Sequence, residues 1–210
     1  MSAKLTLTRT QVQDFARSNQ YAMLMADTAV RDYTGCRCCL INGLLVGLVL
    51  GTQTVEKLLK AYIILLDTTQ NPRRFAHRVI DLAHRAEALD RHLDISEFYP
   101  LFDRLEQYYQ TRYHDNANQP NNMTTAELIE IDKLVICLNE HLPMPDEIKY
   151  RSGIYARLFI SKERNLDPSM FPDEVWLTKQ NESIANISDN LEKRYFEVKQ
   201  HLYPKVDGEI

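Results

Sequence analysis

The chain has 210 residues, 44% of them apolar and 26% charged, with 6 glycines and 8 prolines. That size suits one large domain, or one domain with an appendage, and that composition excludes collagenous, disordered and all-β classes. The formal charge of −4 divides into 14 Lys+Arg against 13 Asp+Glu over residues 1–122 and 11 against 16 over residues 123–210. No global basic field draws the chain to nucleic acid, so any such role rests on a local patch.

The opening Met1-Ser2-Ala3-Lys4-Leu5-Thr6 lacks the basic, apolar and small-residue order of a signal peptide. From Thr10 the apolar residues Val12, Phe15, Ala22, Met23, Ala26 and Val30 recur at three and four, which predicts an amphipathic helix to about Asp32. Tyr33-Thr34-Gly35 is then the expected turn, followed by a long spine helix from Cys36 to Asp67. Its apolar run, Cys38 to Gly51, is interrupted by Asn42 and falls short of the ~20 residues of a bilayer crossing, so no membrane span is expected. On this spine Gly35, Cys39, Gly43, Gly47 and Gly51 are spaced by four. A ridge of small residues at that spacing predicts close approach of another backbone, either the first helix or a second copy of the chain. The competing expectation is a kinked helix start.

Thr68 to Pro72 is polar and carries a proline, which marks a loop. A third helix is expected from Arg73 to Leu89. After the break at Asp94-Ile95-Ser96, Pro100 suits the first turn of a fourth helix, which runs to about Arg112. His114 to Asn122 is a polar loop, and a fifth helix spans Thr125 to Leu142 before Pro143-Met144-Pro145. Tyr150 to Ser161 is ambiguous between strand and helix, Leu166 to Trp176 is expected to be loop or short turns, and a last helix is expected from Asn181 to Leu202. The fold class is therefore all-α: an antiparallel up-and-down bundle of four to five core helices over residues 1–142, with a further C-terminal helical segment, residues 143–210, packing on it.

The four cysteines, Cys36, Cys38, Cys39 and Cys137, form no secreted disulfide pattern, which points to a reducing cytoplasm. Neighbouring helical residues diverge by about 100 degrees, so the Cys36 cluster reads as packing rather than as a metal site. No metal and no cofactor are expected. Phosphate-loop, G-x-S-x-G and H-E-x-x-H patterns do not occur.

Two stretches together resemble the HEPN superfamily of helical domains: Gly51-Thr52-Gln53-Thr54-Val55-Glu56-Lys57-Leu58-Leu59-Lys60-Ala61-Tyr62, similar to its Val-Glu-Lys and Leu-Lys-Ala helix, and Tyr108-Tyr109-Gln110-Thr111-Arg112-Tyr113-His114-Asp115, similar to its Tyr-x-x-x-Arg-Tyr-Pro-Asp with His114 in the proline's place. Between them lies His77, similar to the family's His-Asp-Leu helix start except that Arg78 replaces the aspartate. The resemblance covers about residues 10–142. It implies a helical bundle, commonly a homodimer, acting either as an RNA-cleaving toxin of toxin–antitoxin systems or as a non-catalytic partner of a nucleotidyltransferase.

The cleaving members resemble one another in an Arg followed, after four to six residues, by a His, a pair able to hold a phosphate and move a proton. After Arg112 the eligible positions are Ala117, Asn118 and Gln119, none of them histidine. The spacing recurs as Arg78 with His84, Arg85 with His92 and Arg194 with His201, a number near chance for 15 arginines and 6 histidines. On regular helices the last two pairs would share a face.

The expected function is therefore a non-catalytic, HEPN-like module that binds nucleotide, RNA or a nucleotidyltransferase-type partner through Lys57, Lys60, His77, Tyr109, Arg112, Tyr113 and His114. The alternatives are a metal-independent endoribonuclease using Arg78, His84, Arg85 or His92, and a purely structural interaction protein. At each position a plainer reading stands beside the functional one. Glu56 and Lys60 form an i,i+4 pair, Tyr109 and Tyr113 pack in the core, Arg112 caps a helix end, and the basic stretch from Arg73 to His92 is a solvated face with Asp81 paired to Arg85.

Overall fold

A computed structural model describes residues 6–71, 77–110 and 126–204, and all regular structure among them is helical. Helix α1 (Arg9–Ser18) starts in a capping box, in which Gln11 N–H donates to Thr8 Oγ1 at 3.3 Å and Thr8 N–H to Gln11 Oε1 at 2.8 Å. It stops at Asn19, whose backbone and side-chain N–H groups both donate to the Phe15 carbonyl. Helix α2 (Gln20–Ile41) follows at once, so the one expected helix from Thr10 to Asp32 is two, and the second runs well past Asp32.

Tyr33-Thr34-Gly35 is helical, not a turn: Tyr33 is fully buried in the core and Thr34 Oγ1 donates back to Val30 O at 2.9 Å. The turn lies instead at Asn42–Leu45. Gly43 N–H donates to Leu40 O at 3.0 Å, Leu44 N–H to Cys39 O at 2.8 Å, and Gly43 has φ of +73°. These are the bonds and the left-handed glycine of a Schellman cap. The expected spine from Cys36 to Asp67 is therefore a hairpin, α2 turning back through four residues into α3 (Val46–Leu66).

Helix α3 is the centre of the bundle. It packs against α2 and against α4 (Val79–Leu89), α5 (Tyr99–Gln110) and α6 (Ala126–His141), and buries Leu48, Val55, Leu58, Leu59 and Tyr62 among them. The result is an antiparallel helical bundle. Pro100 sits in the first turn of α5, where its missing N–H has no role. The hairpin also explains the glycine spacing, because the close approach is made by the chain itself. A Cβ at Gly47 would lie 2.6 Å from Leu40 Cγ and 2.9 Å from the Cys36 carbonyl oxygen on α2, and one at Gly51 would lie 3.1 Å from Ile131 of α6. Gly47→Ala gains about 1 kcal/mol of helix propensity but must push Leu40 and the α2 backbone away. A net loss of about 1–3 kcal/mol is expected in urea unfolding, and a variant as stable as the parent would show that α2 and α3 separate freely.

The segment after α6 is helical as well, in short pieces: α7 (Asp146–Lys149), α8 (Gly153–Leu158), α9 (Ile160–Arg164), α10 (Pro172–Thr178), α11 (Glu182–Ala185) and α12 (Ser188–Leu202). The ambiguous Tyr150–Ser161 stretch is thus helix. The expected loop from Leu166 to Trp176 holds a 3-10 turn, Pro168–Met170, and most of α10, with Pro172 opening that helix. The expected last helix is broken at Asn186-Ile187 into α11 and α12. Helix α10 packs on α2 and α8, α11 on α6, and α12 on α7 and α8. Leu177, Ile184, Leu191 and Tyr195 join the same apolar core as α2 to α6.

One buried cation ties these parts together. Arg37 of α2, wholly inaccessible to solvent, pairs with Asp132 of α6 and donates from Nε to the Trp176 carbonyl at 2.9 Å and from a terminal nitrogen to the Lys179 carbonyl. Tyr33 donates to the other Asp132 oxygen at 2.6 Å, and Asn181 Nδ2 donates to the Tyr33 oxygen at 3.0 Å. Burial, with the Asp132 charge, pushes the Tyr33 phenol well above its ordinary value, so it stays a donor. Among the described residues no helix is long and apolar enough to cross a membrane.

Candidate functional site

Helix α3 carries Glu56 and Lys60 one turn apart, and a four-residue step on a helix places both side chains on one face. Lys60 Nζ lies 2.6 Å from Glu56 Oε1, and the side chains are only 6% and 9% exposed. Where this face reaches the start of α4, His77 Nδ1 approaches the same Glu56 oxygen at 3.0 Å. The His77 ring lies near-parallel to that of Tyr109 on α5, with centroids 6.2 Å apart and planes 24° from parallel. Two expected ligand-binding residues, Lys60 and His77, therefore meet at one carboxylate, and a third, Tyr109, lies beside the His77 ring, although they come from three separate stretches of sequence.

The chemistry of this cluster follows from its donors and acceptors. A carboxylate only accepts, so His77, when neutral, carries its proton on Nδ1 and leaves Nε2 as an acceptor. The imidazole is 67% exposed, whereas Tyr109 is buried beneath it. The face open to a flat ligand is thus that of His77. Lys60 satisfies one of its three donors on Glu56. The expected Glu56–Lys60 pair is real, but it is buried rather than on a solvated helix edge.

The remaining expected residues lie as follows. Lys57, one step further round α3, points away from the cluster and pairs with Asp32 of α2. Arg112, Tyr113 and His114 lie outside the described residues, as do Arg73 and Arg74. Next to the cluster, Glu106 of α5 accepts from Ile80 N–H at 3.1 Å, covering the start of α4, and stands 3.8 Å from Arg78 Nε. Arg78 also faces Asp81 at 3.4 Å, so the expected Asp81–Arg85 pair is replaced by one with Arg78, and Arg85 bonds Gln70. Immediately before Tyr109 on α5, Tyr108 donates to Glu127 at 3.1 Å, and burial and that carboxylate push its phenol up to about 12.

The Arg/His pairs are spread over the molecule. His84 Nδ1 is 2.8 Å from the Tyr99 hydroxyl, which donates to Glu87 at 2.7 Å. Helix α4 ends at Leu89, so His92 is off the helix that holds Arg85, and the face they were expected to share does not form. Arg194 and His201 do share α12, but Arg194 holds Asp146 at 2.8 Å and His201 Nε2 is 2.9 Å from the Leu7 carbonyl. Among the described residues no group of three or more His, Cys, Asp or Glu side chains has metal-holding geometry.

Sequence reasoning weighed Glu56 both as lining a groove with Lys57 and Lys60 and as a helix-edge partner of Lys60. Its role as the shared acceptor of Lys60 and His77 was detectable solely as the i,i+4 spacing. No protein-family model, curated protein or solved structure matches the chain.

Proposed function

We propose that the chain is a non-catalytic, HEPN-like binding module whose ligand is a nucleotide or single-stranded RNA, received at the Glu56–Lys60–His77 cluster. The observation that carries this reading is the convergence of Lys60 and His77 on Glu56, with the Tyr109 ring behind His77. A buried ion pair adds little to stability compared with apolar side chains of the same size, so its presence under an exposed imidazole is better suited to recognition than to packing. The His77 face offers a stacking surface and its Nε2 an acceptor for an amino group of a base. Arg112, next along the sequence from α5, is the expected phosphate donor. The non-catalytic part of the reading is supported by the dispersal of the Arg/His pairs: His84, Arg78 and Arg194 are each held by other side chains. A homodimer would use faces other than Gly47 and Gly51, which are filled by the chain's own α2 and α6.

The test is binding of AMP, ATP and a fluorescent 20-nucleotide RNA in EDTA at low and physiological salt, with His77→Ala and His84→Ala beside the parent. Salt-sensitive binding without cleavage is expected, weakened about three- to tenfold in His77→Ala and unchanged in His84→Ala. Strand cleavage lost in His84→Ala would replace this reading with the endoribonuclease. Absence of binding at either salt would direct the search to a protein partner.

A further inference from the structure

Away from the Glu56 cluster, a cleft of about 650 Å³ opens between α2, α8, α9 and α10. That volume accommodates a small organic ligand. Ala26 and Ala156 keep it open, and Met23, Ile160, Met170 and Phe171 supply apolar lining. Methionine thioethers adapt to irregular apolar bodies and are attracted to aromatic rings.

The ionised side chains of the lining balance, Arg151 and Arg157 against Asp27 and Asp173. Arg157 of α8 bridges the walls, donating to Asp27 of α2 at 2.9 Å and to Asp173 of α10. These bonds use each of its terminal nitrogens once, which leaves three of the five N–H donors of the guanidinium for another acceptor. Asp173 receives Arg157 on Oδ2, so Oδ1 can still accept, and its side chain is 45% exposed. One bonded pair therefore offers donors and an acceptor side by side. Asp27, by contrast, has both oxygens engaged, the second by Arg31 at 3.2 Å. Arg151 likewise spends two donors, on Glu163, and retains the others. Beside the chamber, Arg164 of α9 stands 5.9 Å over the Phe171 ring and has no carboxylate partner among the described residues.

We propose that this cleft binds an apolar α-amino acid as its zwitterion, with its carboxylate on the unused donors of Arg157, its ammonium on Asp173 Oδ1 and its side chain among Met23, Ile160, Met170 and Phe171. In an α-amino acid the two charges sit on one carbon, so both can reach a guanidinium and a carboxylate that are already bonded to each other. A simple amine meets only Asp173 and a simple carboxylate only the arginines, and either brings net charge into a lining whose own charges cancel. Arg164 adds a positive charge nearby, which ranks the carboxylate above the amine. The site is separate from the Glu56 cluster, and neither depends on the other.

The experiment titrates the full chain, with carbon-13 in its methionine methyl groups, at pH 7 with L-phenylalanine, 3-phenylpropanoate, 2-phenylethylamine and glycine. The Met23 and Met170 methyl signals are expected to move and saturate with L-phenylalanine at a concentration about tenfold lower than with 3-phenylpropanoate, with 2-phenylethylamine weaker still and glycine without effect. Asp173→Asn is expected to bring L-phenylalanine to the level of 3-phenylpropanoate. Ala156→Leu, which fills the cleft while leaving Arg157 and Asp173 in place, is expected to weaken every probe that binds and provides a second route should Asp173→Asn perturb folding. Equal or tighter binding of 3-phenylpropanoate, 2-phenylethylamine or glycine overturns the proposal, as does L-phenylalanine that moves neither methionine signal or that keeps its tenfold advantage in Asp173→Asn.

Discussion

Arg37→Ala is expected to release the C-terminal helices from the bundle and to cost about 3–5 kcal/mol of stability, the largest effect of any single change considered. The substitution leaves Asp132 as an uncompensated buried carboxylate and removes the donors of the Trp176 and Lys179 carbonyls. Trp176 is the chain's one tryptophan, so its fluorescence reports directly on the place where the damage falls. In urea, the Arg37→Ala fluorescence transition is expected to precede the loss of helical circular dichroism, whereas the two coincide in the parent. The double variant Arg37→Met with Asp132→Leu removes both charges and is expected to recover most of the loss, since apolar groups of similar volume replace a buried pair at little cost. Coincident transitions in Arg37→Ala with a loss under about 1 kcal/mol would mean that the buried pair does not hold the two parts together.

Acid is expected to loosen the molecule at a second place, around Glu163. Burial opposes ionisation of this carboxyl, but hydrogen bonds from Arg151, Tyr195 and Lys199 and the charge of Arg151 outweigh it, and hold it at about 2 against an ordinary 4.5. The bonds from Arg151 are both 3.1 Å, Lys199 stands at 3.3 Å, and Arg151 lies over the Tyr195 ring. Because the folded value lies below the unfolded one, the unfolded chain binds the proton first as pH falls. The stabilisation is complete above about pH 5.5 and is lost as pH drops through 4.5 toward 2. Its size is on the order of 2–3 kcal/mol, allowing for the partial exposure of the pair. Urea unfolding of the parent and of Glu163→Gln from pH 7 to 2.5 isolates it, since the other carboxylates titrate in both. The stability difference is expected to be largest at neutral pH and to shrink steadily below about pH 4.5. A difference that stays constant across this range would place the value of Glu163 in its packing.

The helical class was legible because apolar residues recur at three and four through most of the chain, a local signal that survives any packing arrangement. What misled was the hairpin between α2 and α3. Read as a line, the four-residue spacing of Gly35, Cys39, Gly43, Gly47 and Gly51 is a helical ridge. Only the Asn42-Gly43 pair distinguishes a turn from that ridge, and two residues give a weak signal inside so apolar a run. The short helices after Leu142 were hidden for the opposite reason: Pro168 and Pro172 looked like breakers, whereas both occupy first-turn positions, where proline's missing N–H is harmless. At the site, Lys57, Lys60 and His77 were all named because their residue types and order resembled a known pattern, but only Lys60 and His77 meet at Glu56, while Lys57 faces Asp32. Nothing local marked Arg37, since its partners are contributed by distant helices.

The partners of Arg37 also set a schedule for the making of this protein. Asp132 lies 95 residues further along the chain, and the Trp176 and Lys179 carbonyls lie 139 and 142 residues further. At about 5–20 residues per second, a ribosome emits Arg37 some 7–28 seconds before its last acceptor. Asp132 can take the charge first, but the donors aimed at Trp176 and Lys179 must stay hydrated until those carbonyls emerge, so the seat of α2 is finished only once the chain through Lys179 is made. Closure of the core around Arg37 is thereby coupled to the emergence of Lys179.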